Sequence, residues 1–320
     1  MAKLKQSGRV MQPHTRRIDF VSDVNGRSYS LFVALPLCGE TAEKYRVLYV
    51  LDGNFYFATA VEAVRSRPEA DDVMVVGLGY PQSRRFAAQA LKRHHAALFG
   101  TFPASDTLKA CKLERVYDLT LPAETDLLAH DFAGGDFVPT TQDVGGLDEF
   151  LDLLETEVRL LVADQASRPI GGQAIFGHSL GGLAVIYALF RAPGAYQAFI
   201  ASSPSLWWNR KAVLHHEAKF AEMIETACAT PRVLITVGQD EESLTAKIVY
   251  GDSEQQKKWS YLLKSRRMVG NAKDLAARLS ALKGPDGYFV ENCVVFPGMG
   301  HQLAPWPAIA RAVPFAFGIV

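Results

Sequence analysis

Short apolar runs, separated by stretches with helical character, constrain the fold of this chain most strongly. The runs that predict strands lie at residues 45–51, 72–79, 170–176, 198–201, 232–237 and 289–296. They are almost continuously apolar, as expected for strands that helices cover on both faces. The sequence therefore predicts a doubly wound, mostly parallel α/β sheet, organised as one domain over residues 1–320.

An antiparallel hairpin is predicted at the N-terminal edge of this sheet. Residues 18–22 and 28–35 have the composition of two strands, and Asn25-Gly26 between them is a preferred pair for a tight turn. The chain is expected to enter the sheet through this hairpin.

Residues 82–146 interrupt the alternation of strands and helices. The segment is mostly polar and is broken by pairs such as Phe102-Pro103 and Gly134-Gly135. A stretch this long without a clear pattern is unusual in a compact domain unless it is functional, so we expect a cap over a site. The first half of this cap is predicted to be cationic, because residues 82–116 hold two acidic side chains and seven basic ones: Arg84, Arg85, Lys92, Arg93, Lys109, Lys112 and Arg115.

Charge balance and missing motifs argue against several classes of function. Thirty-four basic and 34 acidic residues give no net field that would attract nucleic acid or an anionic membrane. The sequence has no CxxC pair, phosphate-binding loop or metalloprotease motif, so no metal and no cofactor are expected, and the four cysteines are predicted to be reduced. It has no signal peptide and no membrane-spanning apolar run, which predicts a soluble, cytoplasmic protein. The oligomeric state is left open.

The segment Gly177-His178-Ser179-Leu180-Gly181 matches the pattern GxSxG. It directly follows a predicted strand and directly precedes an apolar helix, which is the context of a nucleophilic serine on a sharp strand-to-helix turn. Small residues beside the serine let the backbone pass through that turn. Ser179 is therefore the candidate nucleophile, and the N–H of Leu180 is a candidate donor to an oxyanion.

A nucleophilic serine needs a base, which in this fold follows it in the chain. His301 lies on a Gly-rich loop after the last predicted strand and is the preferred base. The pair His94-His95 in the predicted cap is an alternative, whereas His215-His216 is expected to face solvent. A structural role for His301 is the competing interpretation.

The acid is expected on the loop after the strand at residues 232–237. Asp240, Glu241 and Glu242 compete there, and we favour Glu241, while a charged first helical turn or a Ser–His dyad without a firm acid stays open. A second oxyanion donor is predicted at the N–H of Asn54, after the strand at residues 45–51. The aromatic pair Trp207-Trp208 could line a substrate pocket, although core packing is an equal alternative for one of the two.

Five segments together resemble the esterase D branch of the α/β-hydrolases, and most closely the ferric enterobactin (siderophore trilactone) esterases. They lie at residues 46–54, 76–81, 115–120, 177–183 and 203–208 and include Arg46-Val47-Leu48-Tyr49-Val50-Leu51-Asp52-Gly53-Asn54 and Ser203-Pro204-Ser205-Leu206-Trp207-Trp208. The resemblance implies an α/β-hydrolase fold with Ser179 as nucleophile, His301 as base, and Asn54 and Leu180 as oxyanion donors. It also implies Arg115 as a contact for a bulky anionic substrate; a solvated, salt-bridged cap surface is the alternative for this residue.

The expected function is ester hydrolysis through an acyl-enzyme. The substrate that the resemblance implies is a small-molecule ester, a catecholate siderophore trilactone whose cleavage would release iron. A general carboxylesterase or thioesterase, and a non-catalytic binding protein with the same fold, are the alternatives.

Overall fold

The structure is a computed structural model that describes residues 12–37, 42–93, 107–131, 138–226, 229–243 and 253–319. Its centre is one sheet, in which the strands are ordered β1-β2-β4-β3-β5-β6-β7-β8, with β9 also paired to β7. The strands are β1 Thr15–Val21, β2 Ser28–Ala34, β3 Tyr45–Leu51, β4 Val73–Gly79, β5 Ile170–His178, β6 Ala198–Ser202, β7 Arg232–Gly238, β8 Phe289–Val290 and β9 Val294–Phe296.

The pairing is antiparallel at one edge and parallel elsewhere. Strand β2 pairs antiparallel with both β1 and β4, whereas β3 pairs parallel with β4 and β5, and the pairs from β5 through β9 are also parallel. The predicted N-terminal hairpin and the mostly parallel sheet are thus confirmed. Because the carboxyl ends of parallel strands lie at one edge of the sheet, the loops after β3, β5, β6, β7 and β9 meet there.

Helices cover both faces of the sheet. They are α1 Gly53–Arg65, α2 Arg84–Arg93, α3 Thr107–Asp118, α4 Thr125–Asp131, α5 Leu147–Leu153, α6 Arg159–Gln165, α7 Leu180–Arg191, α8 Trp208–Lys211, α9 Glu217–Glu225, α10 Ser253–Arg266, α11 Met268–Ser280 and α12 Pro305–Phe317. A short π-helical segment, Leu154–Val158, joins α5 to α6. This two-faced arrangement is the predicted α/β-hydrolase fold.

Alternate residues of each strand enter two separate cores. Leu48 and Val50 of β3 pack with α1 and α12, whereas Val47, Tyr49 and Leu51 belong to the core that contains α7. Both faces of the strand are therefore buried, which explains why its sequence is apolar at successive positions instead of alternating.

The last predicted strand is interrupted. Residues 289–296 are predicted as one strand, but the structure forms β8 and β9 with a break between them. Val290 pairs with Val233 and Val294 with Thr236, so this segment advances four residues while β7 advances three. One extra residue of this kind is a bulge, which disrupts the ladder locally and redirects the chain that follows.

The predicted cap contains helices. Within residues 82–146 the structure forms α2, α3 and α4, and residues 94–106 and 132–137 lie outside the described residues, including His94-His95, Phe102-Pro103 and Gly134-Gly135. Helix α3 is tied to the start of β2 by buried charges: Arg27 forms ion pairs with Glu114 and, at 3.5 Å, with Asp118. Burial raises the pKa of Asp118 to about 6.

Three further observations concern membrane spans, cysteines and metal sites in the described part of the chain. No helix among these residues is long and apolar enough to span a bilayer. Cys111 is a buried free thiol and Cys293 a half-buried one, while Cys38 and Cys228 lie outside the described residues. No group of three or more His, Cys, Asp or Glu side chains with metal-binding geometry occurs in the described ranges.

Candidate active site

Ser179 lies on a strained turn between β5 and α7. Its φ of 61° and ψ of −116° are rarely adopted by residues other than glycine. A Cβ atom at Gly177 would lie 2.2 Å from the carbonyl oxygen of Gly181, and one at Gly182 would lie 2.9 Å from Ser202 O. The two glycines are thus required by close backbone approaches, and the turn presents the Ser179 hydroxyl at the carboxyl edge of the sheet.

The serine, a histidine and a glutamate form one hydrogen-bonded chain. His301 Nε2 lies 2.9 Å from Ser179 Oγ, and His301 Nδ1 lies 2.7 Å from Glu241 Oε2. The His301 side chain is one-third exposed, whereas that of Glu241 is fully buried. This geometry allows His301 to accept a proton from Ser179 while Glu241 orients the ring.

Glu241 is the member of the acidic run that reaches the histidine. Its second oxygen, Oε1, accepts hydrogen bonds from Ser203 Oγ at 2.6 Å and from the N–H of Gly238 at 2.7 Å. Glu242 instead accepts the N–H of Gly270 at 2.6 Å, and Asp240 is half-buried with its own N–H bonded to Met299 O. The structure therefore brings together Ser179, His301 and Glu241, the three residues favoured from the sequence.

The two predicted oxyanion donors lie in the first turns of two helices, α1 and α7. Leu180 is the first residue of α7 and Asn54 the second of α1, so neither N–H has a carbonyl four residues back to bond within its helix. The two helices cover opposite faces of the sheet, but their first turns come together at its carboxyl edge because β3 and β5 are paired. A Cβ at Gly181 would lie 3.3 Å from Asp52 Oδ2, which shows how closely the two turns approach.

The side chain of Asn54 joins the two loops beside it. Its amide donates to Tyr80 O at 2.8 Å and its carbonyl oxygen accepts the N–H of Tyr80 at 2.7 Å. A Cβ at Gly79 would lie 2.2 Å from Asn54 Oδ1, and one at Gly53 would lie 2.8 Å from the backbone of Gly77. The glycines at positions 77 and 79 thus serve the packing of α1, a role that the sequence pattern did not reveal.

His178 packs directly against the histidine of the hydrogen-bonded chain. The two ring centroids are 4.6 Å apart, and His178 Nδ1 lies 3.1 Å from Ser202 Oγ. Burial, and then the proximity of His301, lower the pKa of His178 well below its usual value, so its ring is neutral. His301 therefore rests on an uncharged, buried surface.

The predicted substrate contacts fall in different environments. Trp208 has no exposed surface, and its indole N–H donates to Leu121 O at 3.2 Å, so it is a core residue and its predicted place in a substrate pocket is wrong. Trp207 is half-buried, with the Arg266 guanidinium 4.2 Å from its ring centroid. Arg115 makes a bidentate ion pair with Asp52, through Nε and Nη2 at 2.7 Å each, and its side chain is only 17% exposed.

The remaining basic residues of the predicted cap are mixed. Arg93 pairs with Glu114, while Arg85, Lys92 and Lys112 are exposed. The side chains of Arg84 and Lys109 lie outside the described residues. His215 and His216 are exposed, as expected.

Sequence reasoning missed three side chains that support the site. Ser203 holds Glu241, Asp52 holds Arg115, and Ser205 Oγ lies 3.4 Å from Ser179 Oγ. Each belongs to a segment on which the resemblance was based, but no spacing rule pairs residues so far apart in the chain. Only the meeting of loops at the carboxyl edge of the sheet reveals these contacts.

Comparison with known proteins places this arrangement in a family. The model of the Esterase family, described as "Putative esterase", matches residues 128–308, which is more than half of the chain and includes Ser179, Glu241 and His301. The chain belongs to this esterase family. It is a hydrolase that acts on esters.

The similarity of this esterase to known proteins covers nearly its whole length. It is 29% identical to the siderophore triacetylfusarinine C esterase of Aspergillus fumigatus, covering 90% of this chain and 93% of that one. It is 28% identical to the ferri-bacillibactin esterase BesA of Bacillus subtilis, covering 91% and 85%. Among solved structures, the siderophore hydrolase EstA from Aspergillus nidulans superposes with a TM-score of 0.76 at 25% identity, covering 97% of each chain.

Proposed function

We propose that this esterase hydrolyses the ester bonds of siderophores through an acyl-enzyme on Ser179. The observation that carries the mechanism is the chain of two hydrogen bonds, of 2.9 and 2.7 Å, that links Ser179 Oγ through His301 to Glu241. The substrate class is supported by relatives named as esterases of triacetylfusarinine C and ferri-bacillibactin, which the chain covers almost completely.

The proposed reaction runs in two halves. His301 Nε2 takes the proton of Ser179 Oγ as that oxygen attacks the ester carbonyl carbon, and the carbonyl oxygen becomes an oxyanion. The N–H groups of Leu180 and Asn54 are the proposed donors to that oxyanion. His301 then gives its proton to the departing alkoxide, which leaves as an alcohol. Water, activated by the same histidine, attacks the acyl-enzyme and releases the acid.

The buried carboxylate of Glu241 has a defined part in this reaction. It accepts the Nδ1–H of His301, which keeps Nε2 free to accept a proton and stabilises the positive charge that the ring gains. The hydroxyl of Ser203 and the N–H of Gly238 hold the other carboxylate oxygen. The carboxylate is therefore fixed in one orientation before the substrate arrives.

The siderophore is proposed to bind at the carboxyl edge of the sheet, over Ser179. Trp207 is the proposed aromatic contact, because it lies two residues after Ser205. The N–H of Ser205 donates to Ser179 O at 3.0 Å. The exposed basic side chains Arg85, Lys92 and Lys112 would favour a substrate with several negative charges, such as an iron-loaded catecholate trilactone. Cleavage of the ferric complex in the cytoplasm, with release of iron, is part of the same proposal.

The experiment compares substrates on purified wild type and on Ser179→Ala. We expect hydrolysis of ferri-bacillibactin or ferric triacetylfusarinine C with a kcat/KM well above that of p-nitrophenyl butyrate, and loss of both activities in the variant. Turnover of the simple ester alone would retain the serine hydrolase and reject the siderophore substrate. Full activity of Ser179→Ala would reject the mechanism, and failure of Ser179 to react with a fluorophosphonate probe would favour a binding protein.

A further inference from the structure

We propose that helix α3 braces the oxyanion site and that Arg115 is a positioning residue that acts through Asp52. The inference rests on the proposed function, because it concerns the two N–H groups assigned above to the oxyanion. Its first support is the Arg115–Asp52 pair, in which both carboxylate oxygens are bonded at 2.7 Å. Such bidentate pairs fix the relative orientation of their partners more firmly than a single hydrogen bond does.

Asp52 sits at the junction of both oxyanion turns. It precedes α1 with a left-handed backbone, φ 57°, and its carbonyl oxygen accepts the N–H groups of Phe55 at 2.8 Å and Tyr56 at 3.2 Å. Its carboxylate is 1% exposed and lies against Gly181, beside the start of α7. A movement of this side chain would therefore disturb the turn that carries Asn54 and crowd the turn that carries Leu180.

A second contact from α3 reaches the other side of Asn54. The hydroxyl of Tyr80 donates to Asp118 Oδ2 at 2.9 Å, and the backbone of Tyr80 makes the paired hydrogen bonds with the Asn54 amide. Arg115 and Asp118 are three residues apart and so lie on one face of the helix. That face holds the loop before Asn54 through Asp52 and the loop after β4 through Tyr80.

Charge gives the Arg115–Asp52 pair a further role. A buried carboxylate this close to the oxyanion turns would oppose the negative charge that develops during the reaction, because charges interact strongly where water is excluded. Burial by itself would lower the pKa of Arg115, but the charge and hydrogen bonds of Asp52 raise it above its usual value. Arg115 is thus permanently cationic and neutralises Asp52.

This arrangement separates two roles for Arg115. A direct substrate contact through Nε and Nη2 would need the guanidinium to leave Asp52 and become exposed. In the structure both of these nitrogens donate to the Asp52 carboxylate. A substrate contact acts mainly on KM, whereas a positioning residue that serves the transition state acts on kcat. Replacement of Asp52 also distinguishes the two roles. It should lower kcat only if Arg115 positions the oxyanion donors through Asp52.

The test measures kcat and KM of Arg115→Gln, Asp52→Asn and the double variant on neutral p-nitrophenyl butyrate. Fluorophosphonate labelling of Ser179 provides the active-site concentration and a second rate. In Arg115→Gln we expect kcat and the labelling rate to fall roughly 100-fold, as when an oxyanion donor is displaced, with KM changed by less than about threefold. The double variant leaves no unpaired charge and can bond amide to amide, so it should regain about tenfold of the loss.

A matched control lies at the other end of the same strand. Arg46 at the start of β3 holds Asp72 through the same kind of pair, so Arg46→Gln should lower the melting temperature without lowering kcat per labelled site. Should Arg115→Gln fail to fold, the double variant carries the test, with reduced kcat and unchanged KM expected against wild type.

Three results would overturn the brace. They are a raised KM with normal kcat in Arg115→Gln, a lowered melting temperature with normal kcat per labelled site, and no recovery in the double variant. Failure of the proposed substrate leaves this test intact, because labelling of Ser179 does not need a siderophore. If wild type and Ser179→Ala labelled alike, the proposed mechanism would fail first and the brace would fall with it.

Discussion

Replacing Glu241 by glutamine tests how the buried acid controls His301. The glutamine amide is nearly the same shape as the carboxylate, but one of its oxygens becomes an NH2 donor. The N–H of Gly238 lies 2.7 Å from Glu241 Oε1 and can only donate, so the amide oxygen must occupy that position. The NH2 group is then forced toward His301 Nδ1, 2.7 Å from Oε2.

The size of the effect follows from the ring tautomer. Facing a donor, Nδ1 of His301 must accept, so the ring carries its proton on Nε2 and points it at Ser179 Oγ. That nitrogen can no longer take the serine proton. The corresponding amide substitution in a serine protease triad lowers kcat by about 10⁴-fold, which at 1.36 kcal/mol per factor of ten is about 5 kcal/mol of lost transition-state stabilisation.

The assay is steady-state hydrolysis of p-nitrophenyl butyrate by Glu241→Gln at pH 7.5, with the melting temperature measured in parallel. Asp240→Asn is the matched control, since it makes the same chemical change one residue away, while the ring nitrogens of His301 lie against Glu241 and Ser179. Its kcat should stay within about twofold of wild type. A Glu241→Gln enzyme with kcat within about tenfold of wild type would refute the tautomer argument and favour a Ser–His dyad.

Three further predictions concern stability. A methyl group at Gly177 would meet the carbonyl oxygen of Gly181 at 2.2 Å, so Gly177→Ala should abolish fluorophosphonate labelling and lower the melting temperature, whereas Gly171→Ala on the same strand, with no atom closer than 3.5 Å, should do neither. Trp208→Ala should cost about 3–5 kcal/mol of unfolding free energy in denaturant titrations, with a normal KM in the fraction that folds. Trp207→Ala should instead raise KM and leave the free energy of unfolding nearly unchanged. Equal stability losses in the two variants would contradict the placing of Trp208 in the core and of Trp207 at the substrate. Because burial raises the folded-state pKa of Asp118 from 3.8 to about 6, wild type loses stability as that carboxyl ionises with rising pH. The stability of Asp118→Asn relative to wild type should therefore rise between pH 4 and pH 7, by up to about 3 kcal/mol in urea unfolding, and a difference that does not change with pH would count against the raised pKa.

Local sequence patterns predicted the sheet and the nucleophile because short-range physics controls both. Five successive apolar residues in β3, Val47 to Leu51, can be buried only if helices cover both faces of the sheet, so the run itself indicates a covered sheet. The strand-to-helix turn around Ser179 needs tiny neighbours at fixed offsets for its backbone to close, so its glycines are visible as a motif.

The acid was harder to choose from the sequence. Asp240, Glu241 and Glu242 are adjacent acidic residues that the sequence pattern does not distinguish. The turn after Gly238 decides which of them points inward. The structure places only Glu241 where Ser203, Gly238 and His301 converge on one carboxylate.

Contacts between distant segments were decided by tertiary structure alone. The resemblance implied Arg115 as a contact for an anionic substrate, with a salt-bridged cap surface as the alternative, and folding pairs it with Asp52, 63 residues earlier. Trp207 and Trp208 are adjacent in the chain, but only Trp208 turns into the core. The sequence by itself determined the strands and the turn around Ser179, because each depends on neighbours within a few residues, and the chain order of the fold narrowed the acid and the base to two loops. The partners of Arg115, Glu241 and Trp208 depend on which loops meet at the carboxyl edge of the sheet, and that follows only from the packing of the whole chain.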